Sequence, residues 1–479
     1  MKKIILLLLL SHYSLSQDWV QLGSDIDGEA KLDLSGYSVS LSSDGTIVAI
    51  GAYANDGNGS KSGHVRVYEW NSGSSSWVQK GNDIDGEAAE DYSGYYLSLS
   101  SDGTIVAIGA IKNDGNGSDA GHVRVYEWDG SAWAKRGNDI DGEAADDESG
   151  YSVSLSSDGT IVAIGATKND GNGSDAGHVR VYEWDGSAWA KRGNDIDGEA
   201  ADDESGYSVS LSSDGTIVAI GAMLNDGNGF ASGHVRVYEW DGSAWDKRGN
   251  DIDGEAVGDV SGSSVSLNSD GTIVAIGGYG NDGIGNNAGH VRVYKWNGAY
   301  WSKRGNDIDG EAPGDKSGNS VSLSSDGTIV AIGAYENDGG GSLSGHVRVY
   351  EWDSGNSSWI QKGNDIDGEA VMDYSGGSVS LSSDGTIVAI GARSNDGGGD
   401  NSGHVRVYEW NSGSSSWVQR GSDIDGEAAY DYSAGKGNVS LNSDGTIVAI
   451  GSYYNDGGGD ASGHVRVFEI NIDSDGDGI

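Results

Sequence analysis

The sequence predicts an all-β protein, an eight-bladed β-propeller of four-stranded antiparallel blades. One pattern recurs eight times in the 479 residues, and each copy contains four short β-like runs. A repeat of this size indicates a stacked or closed architecture, because one such unit cannot bury its own faces. With 82 glycines and one proline, the turns depend on Gly, Asn, Asp and Ser. The histidine of each copy is at His64, His122, His178, His234, His290, His346, His404 and His464.

The third copy shows the first two strands. Residues 151–156 alternate between apolar residues and serine, which is the two-residue period of a strand. Asp158 and Gly159 follow, and Asp-Gly between two strand-like runs is a strong hairpin signal. Residues 160–166, TIVAIGA, are almost continuously apolar, as expected for a strand that is buried on both faces.

The same copy then provides the third and fourth strands. Residues 178–184, HVRVYEW, form the third strand, and the more polar residues 189–193, WAKRG, form the fourth. Lys191 and Arg192 supply charges of the kind that keep an edge strand from pairing with another chain. Four antiparallel strands are the unit of a propeller blade, with the first strand innermost and the fourth at the rim.

The order of strands at the two ends of the repeat region predicts how the ring closes. The chain begins with a lone fourth-type strand, residues 19–23, and the last copy, residues 439–470, has only the first three strands. The N-terminal strand therefore completes the last blade. The fourth strands have eight tryptophans in all, Trp19, Trp77, Trp133, Trp189, Trp245, Trp301, Trp359 and Trp417.

The repeated sequence S-G-Y-S-V-S-L-S, V-A-I-G-A and G-H-V-R-V-Y resembles the FG-GAP repeat of integrin-α-like propellers over nearly all of residues 19–470. The resemblance implies a propeller that serves binding or adhesion. Two departures are visible. The calcium loop of the family lies between the first two strands, where this chain has only a short S-S-D-G-T or N-S-D-G-T turn, and the family propeller has seven blades rather than eight.

Acidic loops are the candidate metal sites. In a blade of this order, the connection between the second and third strands and the connection to the next blade lie on one face. Oxygen-rich loops with alternating Asp and tight glycine turns suit calcium, and the candidates are Asp139, Asp141, Glu143 and Asp170 with their repeat equivalents. The alternative is that these are ordinary turn residues, with the recurring arginine, such as Arg180, pairing with one Asp of each D-x-D.

A catalytic site is not expected, and no residue is predicted to be catalytic. The eight histidines lie in mid-strand once per blade, so we expect them to take part in packing or loop hydrogen bonds. No G-x-S-x-G motif is present. The third and fourth copies are almost identical, whereas catalysis needs unlike groups that converge on one spot. We therefore expect a protein that is not an enzyme, with no cofactor apart from calcium.

Composition and the N-terminus limit the partners. The formal net charge is −45, which disfavours nucleic acid and anionic membranes. Residues 1–16 read as a secretory signal, with Lys2 and Lys3 before an apolar run and a cleavage site before Gln17. The expected mature protein is exported and monomeric, without a membrane-inserted segment. Cysteine is absent, which excludes disulfides and thiolate chemistry.

The last residues differ from the repeats. After the propeller of residues 17–470, the tail of residues 471–479 resembles the start of a thrombospondin type-3-like calcium repeat. Its candidate metal ligands are Asp473, Asp475 and Asp477. The motif stops early, so we expect the sequence to be a fragment of a longer protein.

The sequence thus favours a secreted or cell-surface propeller that acts as a binding or adhesion module for an extracellular protein or glycan, with calcium as a candidate requirement. Two alternatives remain open: an extracellular enzyme that acts on polysaccharides, and a structural spacer of a larger surface protein. The sequence does not name the ligand.

Overall fold

The computed structural model describes residues 17–435 and 437–472, and they form a ring of eight antiparallel sheets, as the sequence predicts. Each sheet is one blade with four main strands, here called strands A, B, C and D from the axis outward. Blades are numbered by the order of their A strands. The predicted signal, residues 1–16, and the candidate ligands Asp473, Asp475 and Asp477 lie outside the described residues.

The two inner strands of each blade follow the predicted hairpin. The A strands are Ser38–Leu41, Ser93–Leu99, Ser149–Leu155, Ser208–Leu211, Ser264–Leu267, Ser320–Leu323, Ser375–Leu381 and Val439–Leu441. The B strands are Ile47–Ala52, Ile105–Ala110, Ile161–Ala166, Ile217–Ala222, Ile273–Gly278, Ile329–Ala334, Ile387–Ala392 and Ile447–Ser452.

The two outer strands of each blade are strands C and D. The C strands are His64–Asn71, His122–Trp128, His178–Trp184, His234–Trp240, His290–Trp296, His346–Asp353, His404–Asn411 and His464–Ile472. The D strands are Ser76–Gln79, Trp133–Lys135, Trp189–Lys191, Trp245–Lys247, Trp301–Lys303, Ser358–Gln361, Ser416–Gln419 and, for blade 8, Gln17–Gln21.

Each blade also has a fifth, two-residue strand that the sequence did not predict. In blade 3 the chain leaves strand D after Lys191, turns at Gly193 with φ +81°, and returns to strand C to pair Ile196 with Val179. A side chain at Gly193 would press against Trp240 of the next blade. The short strands are Ile26–Asp27, Ile84–Asp85, Ile140–Asp141, Ile196–Asp197, Ile252–Asp253, Ile308–Asp309, Ile366–Asp367 and Ile424–Asp425.

The hydrophobic core lies between blades rather than within them. Alternate residues of a B strand face opposite neighbours, so Ile161 packs toward blade 4 while Val162 packs toward blade 2. Trp189 and Trp245 pack against these layers from the D strands. Burying one Val or Ile contributes about 1.5–3 kcal/mol, and this layer repeats at successive joints between blades.

The ring closes at both its rim and its axis. The N-terminal strand pairs antiparallel with strand C of blade 8, opposing Trp19 to Ile470, which confirms the predicted closure. The Trp19 indole N–H donates to the Arg420 carbonyl of blade 7 at 2.5 Å. Near the axis, the Leu41 amide of blade 1 donates to Ser440 Oγ of blade 8 at 3.2 Å.

Candidate ligand-binding face

The loops between strands B and C and the connections between blades share one face, which we call the loop face. In blade 3, the Asn172 side-chain amide donates to the Gly198 carbonyl at 2.8 Å, joining the B–C loop to the connection that follows strand D. Gly177 and Ser205 form a parallel bridge beside it. The predicted acidic residues therefore surround one end of the ring axis.

The recurring arginine binds a main-chain carbonyl of the D-x-D segment. Arg180 of blade 3 donates from Nη2 to the Asp141 carbonyl at 2.6 Å, and its Nη1 is 3.9 Å from a Glu143 carboxylate oxygen. This differs from the pairing with an Asp carboxylate that the sequence suggested. Asp141 belongs to the short strand of blade 2, so the arginine joins adjacent blades.

Each connection between blades contains one buried aspartate that stabilises the local turn. Asp147 is 1% exposed, and its Oδ2 accepts hydrogen bonds from the amides of Glu143 and Ala144 and from the Asn169 side chain. A carboxylate that accepts several N–H donors stabilises the local turn. Asp147 therefore fixes the connection that presents Glu143 to solvent.

The structure places the other predicted ligands in separate groups. Asp139 lies with Glu87 and His122, where one ligand atom from each residue is within 4.8 Å of the others. Glu143 belongs to the next group around the ring, with His178. Each group therefore combines residues from consecutive repeats.

The remaining two candidates differ in their surroundings. An Asp141 carboxylate oxygen is 3.8 Å from His122 Nδ1, and burial, followed by the nearby Asp139 charge, raises the pKa of Asp141. Asp170 Oδ1 accepts the Asp175 amide at 2.9 Å, as expected for a turn residue. Asp170 is exposed on the loop face.

The turn between strands A and B does not fit the calcium loop of FG-GAP propellers. Asp158 Oδ1 accepts hydrogen bonds from Ser156 Oγ, the Thr160 amide and Thr160 Oγ1, at 2.7 to 3.0 Å. Burial acts to raise the pKa of Asp158, but these hydrogen bonds outweigh it and lower the pKa. One carboxylate already committed to three donors leaves too few oxygens for a calcium ion.

The histidines lie at the joints between blades, beneath the loop face. His178 is 1% exposed. Burial and then the Arg180 charge lower its pKa to about 3, so the imidazole is neutral at physiological pH. Its Nδ1 is 3.9 Å from a Glu143 oxygen and 3.9 Å from an Asp197 oxygen, which is beyond hydrogen-bond distance.

At the centre of the loop face lies a tyrosine cluster that the sequence analysis missed. Tyr37 and Tyr207 immediately precede their A strands, and Tyr95 and Tyr151 are the third residues of the longer A strands of blades 2 and 3. Ring contacts with centroids 4.6 to 6.5 Å apart extend the cluster over blades 1 to 4 and 8. Its members are Tyr37, Tyr53, Tyr92, Tyr95, Tyr96, Tyr151, Tyr207, Tyr430, Tyr432, Tyr453 and Tyr454.

The cluster makes the two halves of the ring different. At the position of Tyr207, blades 5, 6 and 7 have Ser263, Asn319 and Gly377. Asn319 and Gly377 line a cavity of about 130 Å³ together with Tyr374 and Arg393. The Arg393 guanidinium lies 5.3 Å from the centre of the Tyr374 ring.

The sequence did contain a signal for this cluster. Comparing the residue that follows the Ser-Gly pair at the start of each copy's innermost strand region shows tyrosine in four consecutive copies and smaller residues in the next three. In one copy, Tyr151 looks like another apolar residue of an alternating strand. Only the closed ring brings Tyr37 within 5.6 Å, centroid to centroid, of Tyr453, which is 416 residues later in the chain.

Comparison with known proteins supports the family resemblance in two repeats. The FG-GAP repeat model matches residues 25–68 and 140–182, which occupy corresponding positions in blades 1 and 3. FG-GAP repeats are typical of extracellular proteins. No curated protein matches the chain.

Solved structures agree with the fold. Sqt1 from Chaetomium thermophilum is 14% identical with a TM-score of 0.58, covering 94% of this chain and 100% of its own. Sqt1 from Saccharomyces cerevisiae is 11% identical with a TM-score of 0.53, covering 95% and 98%. Within the described range, no helix has the length and apolar character to cross a membrane. The fold and the repeat matches together support an FG-GAP-like β-propeller with eight blades.

Proposed function

We propose that this protein is a secreted or cell-surface binding module that holds an extracellular protein or glycan at the centre of its loop face. The tyrosine cluster is the observation that carries the proposal. Tyrosine offers a large apolar ring with a polar tip, and it is enriched where proteins bind partners. Tyr430 and Tyr454 are 55% and 44% exposed, so the cluster presents ring surface to solvent.

The adjoining cavity adds directional contacts to this surface. Arg393 and Asn319 provide hydrogen-bond donors beside Tyr335 and Tyr374. A concave site of apolar rings with a few polar groups is the usual form of a ligand site. The cavity lies where blades 6 to 8 meet, so the ligand would contact both halves of the ring.

Charge restricts the ligand further. The net charge of −45 and the exposed acids of the loop face repel anionic ligands and attract cationic ones. We therefore propose a neutral glycan or a protein surface rich in Lys and Arg. The module is proposed to act without catalysis and as a monomer, and neither nucleic acid nor a membrane is a proposed partner.

We also propose that the loop face binds calcium. The partly exposed carboxylates of Asp141 and Glu143, with Asp170 on the neighbouring loop, are the hard oxygen ligands that calcium prefers. Binding of calcium to the folded state would stabilise it by mass action. A calcium titration followed by thermal melting tests calcium binding. An unchanged melting temperature at millimolar calcium would contradict it.

A glycan and matrix-protein array, probed with and without calcium, tests the main proposal. We expect selective binding to neutral glycans or to proteins with basic surfaces. Binding to no member of the array, together with hydrolysis of a polysaccharide, would overturn the proposal in favour of an enzyme.

A further inference from the structure

The eight buried histidines have no hydrogen-bond partner. In every blade, neither Nδ1 nor Nε2 of this histidine has one among the described residues, although each imidazole is at most 1% exposed. Buried polar atoms in native proteins are nearly always paired, so an orphaned one points to an unseen ion or water. Because all eight blades have this same arrangement, the unpaired histidine is a regular feature of the fold.

The orphaned nitrogen faces carboxylates across a small gap. His64 Nδ1 is 3.8 Å from a Glu29 oxygen, and Asp83 completes a group whose ligand atoms all lie within 4.8 Å of one another. His464 forms the equivalent group with Glu427 and Asp25. Ligands about 2.0–2.2 Å from a zinc ion lie roughly 3.3–3.6 Å apart in a tetrahedron, so a small contraction of each group would coordinate an ion.

Seven such groups occur among the described residues. Four of the eight blades have a lysine ammonium beside these carboxylates. In blade 3, Lys191 Nζ is 2.5 Å from an Asp195 oxygen and 3.9 Å from Glu143. The lysine therefore supplies positive charge to the carboxylates that an ion would use. The lysines and their aspartates are Lys135 with Asp139, Lys191 with Asp195, Lys247 with Asp251 and Lys303 with Asp307.

In the other four blades, glutamine occupies that position beside the equivalent His, Glu and Asp. Gln361 Nε2 donates to Asp365 Oδ1 at 2.6 Å, which orients the carboxylate without neutralising it. These groups belong to the contiguous blades 6, 7, 8 and 1. The glutamines and their aspartates are Gln21 with Asp25, Gln79 with Asp83, Gln361 with Asp365 and Gln419 with Asp423.

We propose that blades 1, 6, 7 and 8 each bind a divalent transition-metal ion of the zinc type between the histidine Nδ1 and the Glu and Asp carboxylates. A ligand set of one imidazole and two carboxylates suits zinc and its neighbours in the first transition row better than calcium, which prefers oxygen alone. Each of the eight blades also has the arginine beside the Glu, so the difference between the two sets is the lysine. The histidines, which the sequence led us to expect in packing or loop hydrogen bonds, are in this proposal the residues that select the metal.

Zinc stoichiometry tests this inference. The full chain is dialysed against Zn²⁺ with excess millimolar Ca²⁺, which saturates weak surface carboxylates, and retained zinc is measured by mass spectrometry. We expect about four zinc ions per chain. No retained zinc, or retention of calcium at these groups instead, would overturn the proposal.

Two reciprocal exchanges provide matched controls. Gln361→Lys introduces the competing ammonium into blade 6 and should reduce the count to about three. Lys191→Gln removes it from blade 3 and should raise the count to about five. Both positions are partly exposed at the rim, so thermal melting can verify that each variant folds. A count that neither exchange alters would contradict the assignment, as would an unchanged count for the folded His346→Ala variant.

Discussion

At the residue scale, many acidic residues of this protein stabilise turns or contacts between adjacent blades. Asp147 is buried and caps a connection, whereas Asp158 organises the turn on the opposite face. Arg180 binds the Asp141 carbonyl across a joint between blades. A formal charge of −45 therefore does not mean that each carboxylate is free to bind a ligand.

Asp158→Asn tests the role of the turn aspartate. In the folded state, hydrogen bonds lower the pKa of Asp158 below the ordinary value of 3.8. The stability that the charge contributes is therefore present above pH 3.8 and is lost as the pH falls below it. We expect the variant to lose about 1 kcal/mol or less at pH 7 and to approach the wild type near pH 3. Urea unfolding at both pH values measures this, and an equal deficit at both would contradict it.

At the element scale, the lone N-terminal strand has the largest structural consequence. It completes blade 8 by pairing with residues from the other end of the chain. Trp19, 8% exposed, packs with Ile387 and Ile470 in the core layer between blades 7 and 8. Closure of the ring at its rim therefore depends on the five-residue strand Gln17–Gln21.

Trp19→Ala should destabilise the ring, because it removes a large buried side chain and its hydrogen bond to Arg420. Large-to-small core substitutions of tryptophan cost about 3–5 kcal/mol. Val20→Ala on the same strand is the matched control, since Val20 is 49% exposed, and it should cost far less. Chemical unfolding of both variants measures the difference, and equal stabilities would mean that the strand does not close the ring.

The strands were largely predictable, whereas the features that arise from closure were not. Alternation over residues 151–156 and the Asp-Gly turn predicted the inner hairpin from local periodicity alone. The short strand Ile196–Asp197 was missed because two residues carry no periodicity. Lys191 was interpreted as edge protection, and its ion pair with Asp195 became visible only once the short strand turned back along the blade.

At the scale of the whole molecule, eight similar blades produce a face that is not eightfold symmetric. Tyrosines occupy its centre from blade 8 to blade 4, whereas smaller residues and a cavity lie across blades 5 to 8. The lysine and glutamine groups at the rim also divide the ring into halves. Small differences between near-identical repeats thus define the candidate binding surfaces.

Self-repulsion should make the stability of the ring depend on salt. Carboxylates are spread around one compact molecule, and the screening length shortens to about 10 Å at 0.1 M monovalent salt. We expect the melting temperature to rise when sodium chloride is added to a low-salt buffer. Choline chloride, whose large cation is a poor carboxylate ligand, should have a similar effect. A melting temperature that is independent of both salts would contradict a dominant repulsion.

The most direct test of the central claim compares ligand affinity for two kinds of tyrosine variant. Tyr430→Ala and Tyr454→Ala remove exposed rings from the tyrosine cluster, whereas Tyr300→Ala removes a 57% exposed ring on the C–D turn of blade 5, outside that cluster. For the ligand selected on the array, we expect a loss of affinity of about tenfold or more for the cluster variants and no change for Tyr300→Ala. Unchanged affinity in the cluster variants, or an equal loss in Tyr300→Ala, would contradict binding at the centre of the loop face.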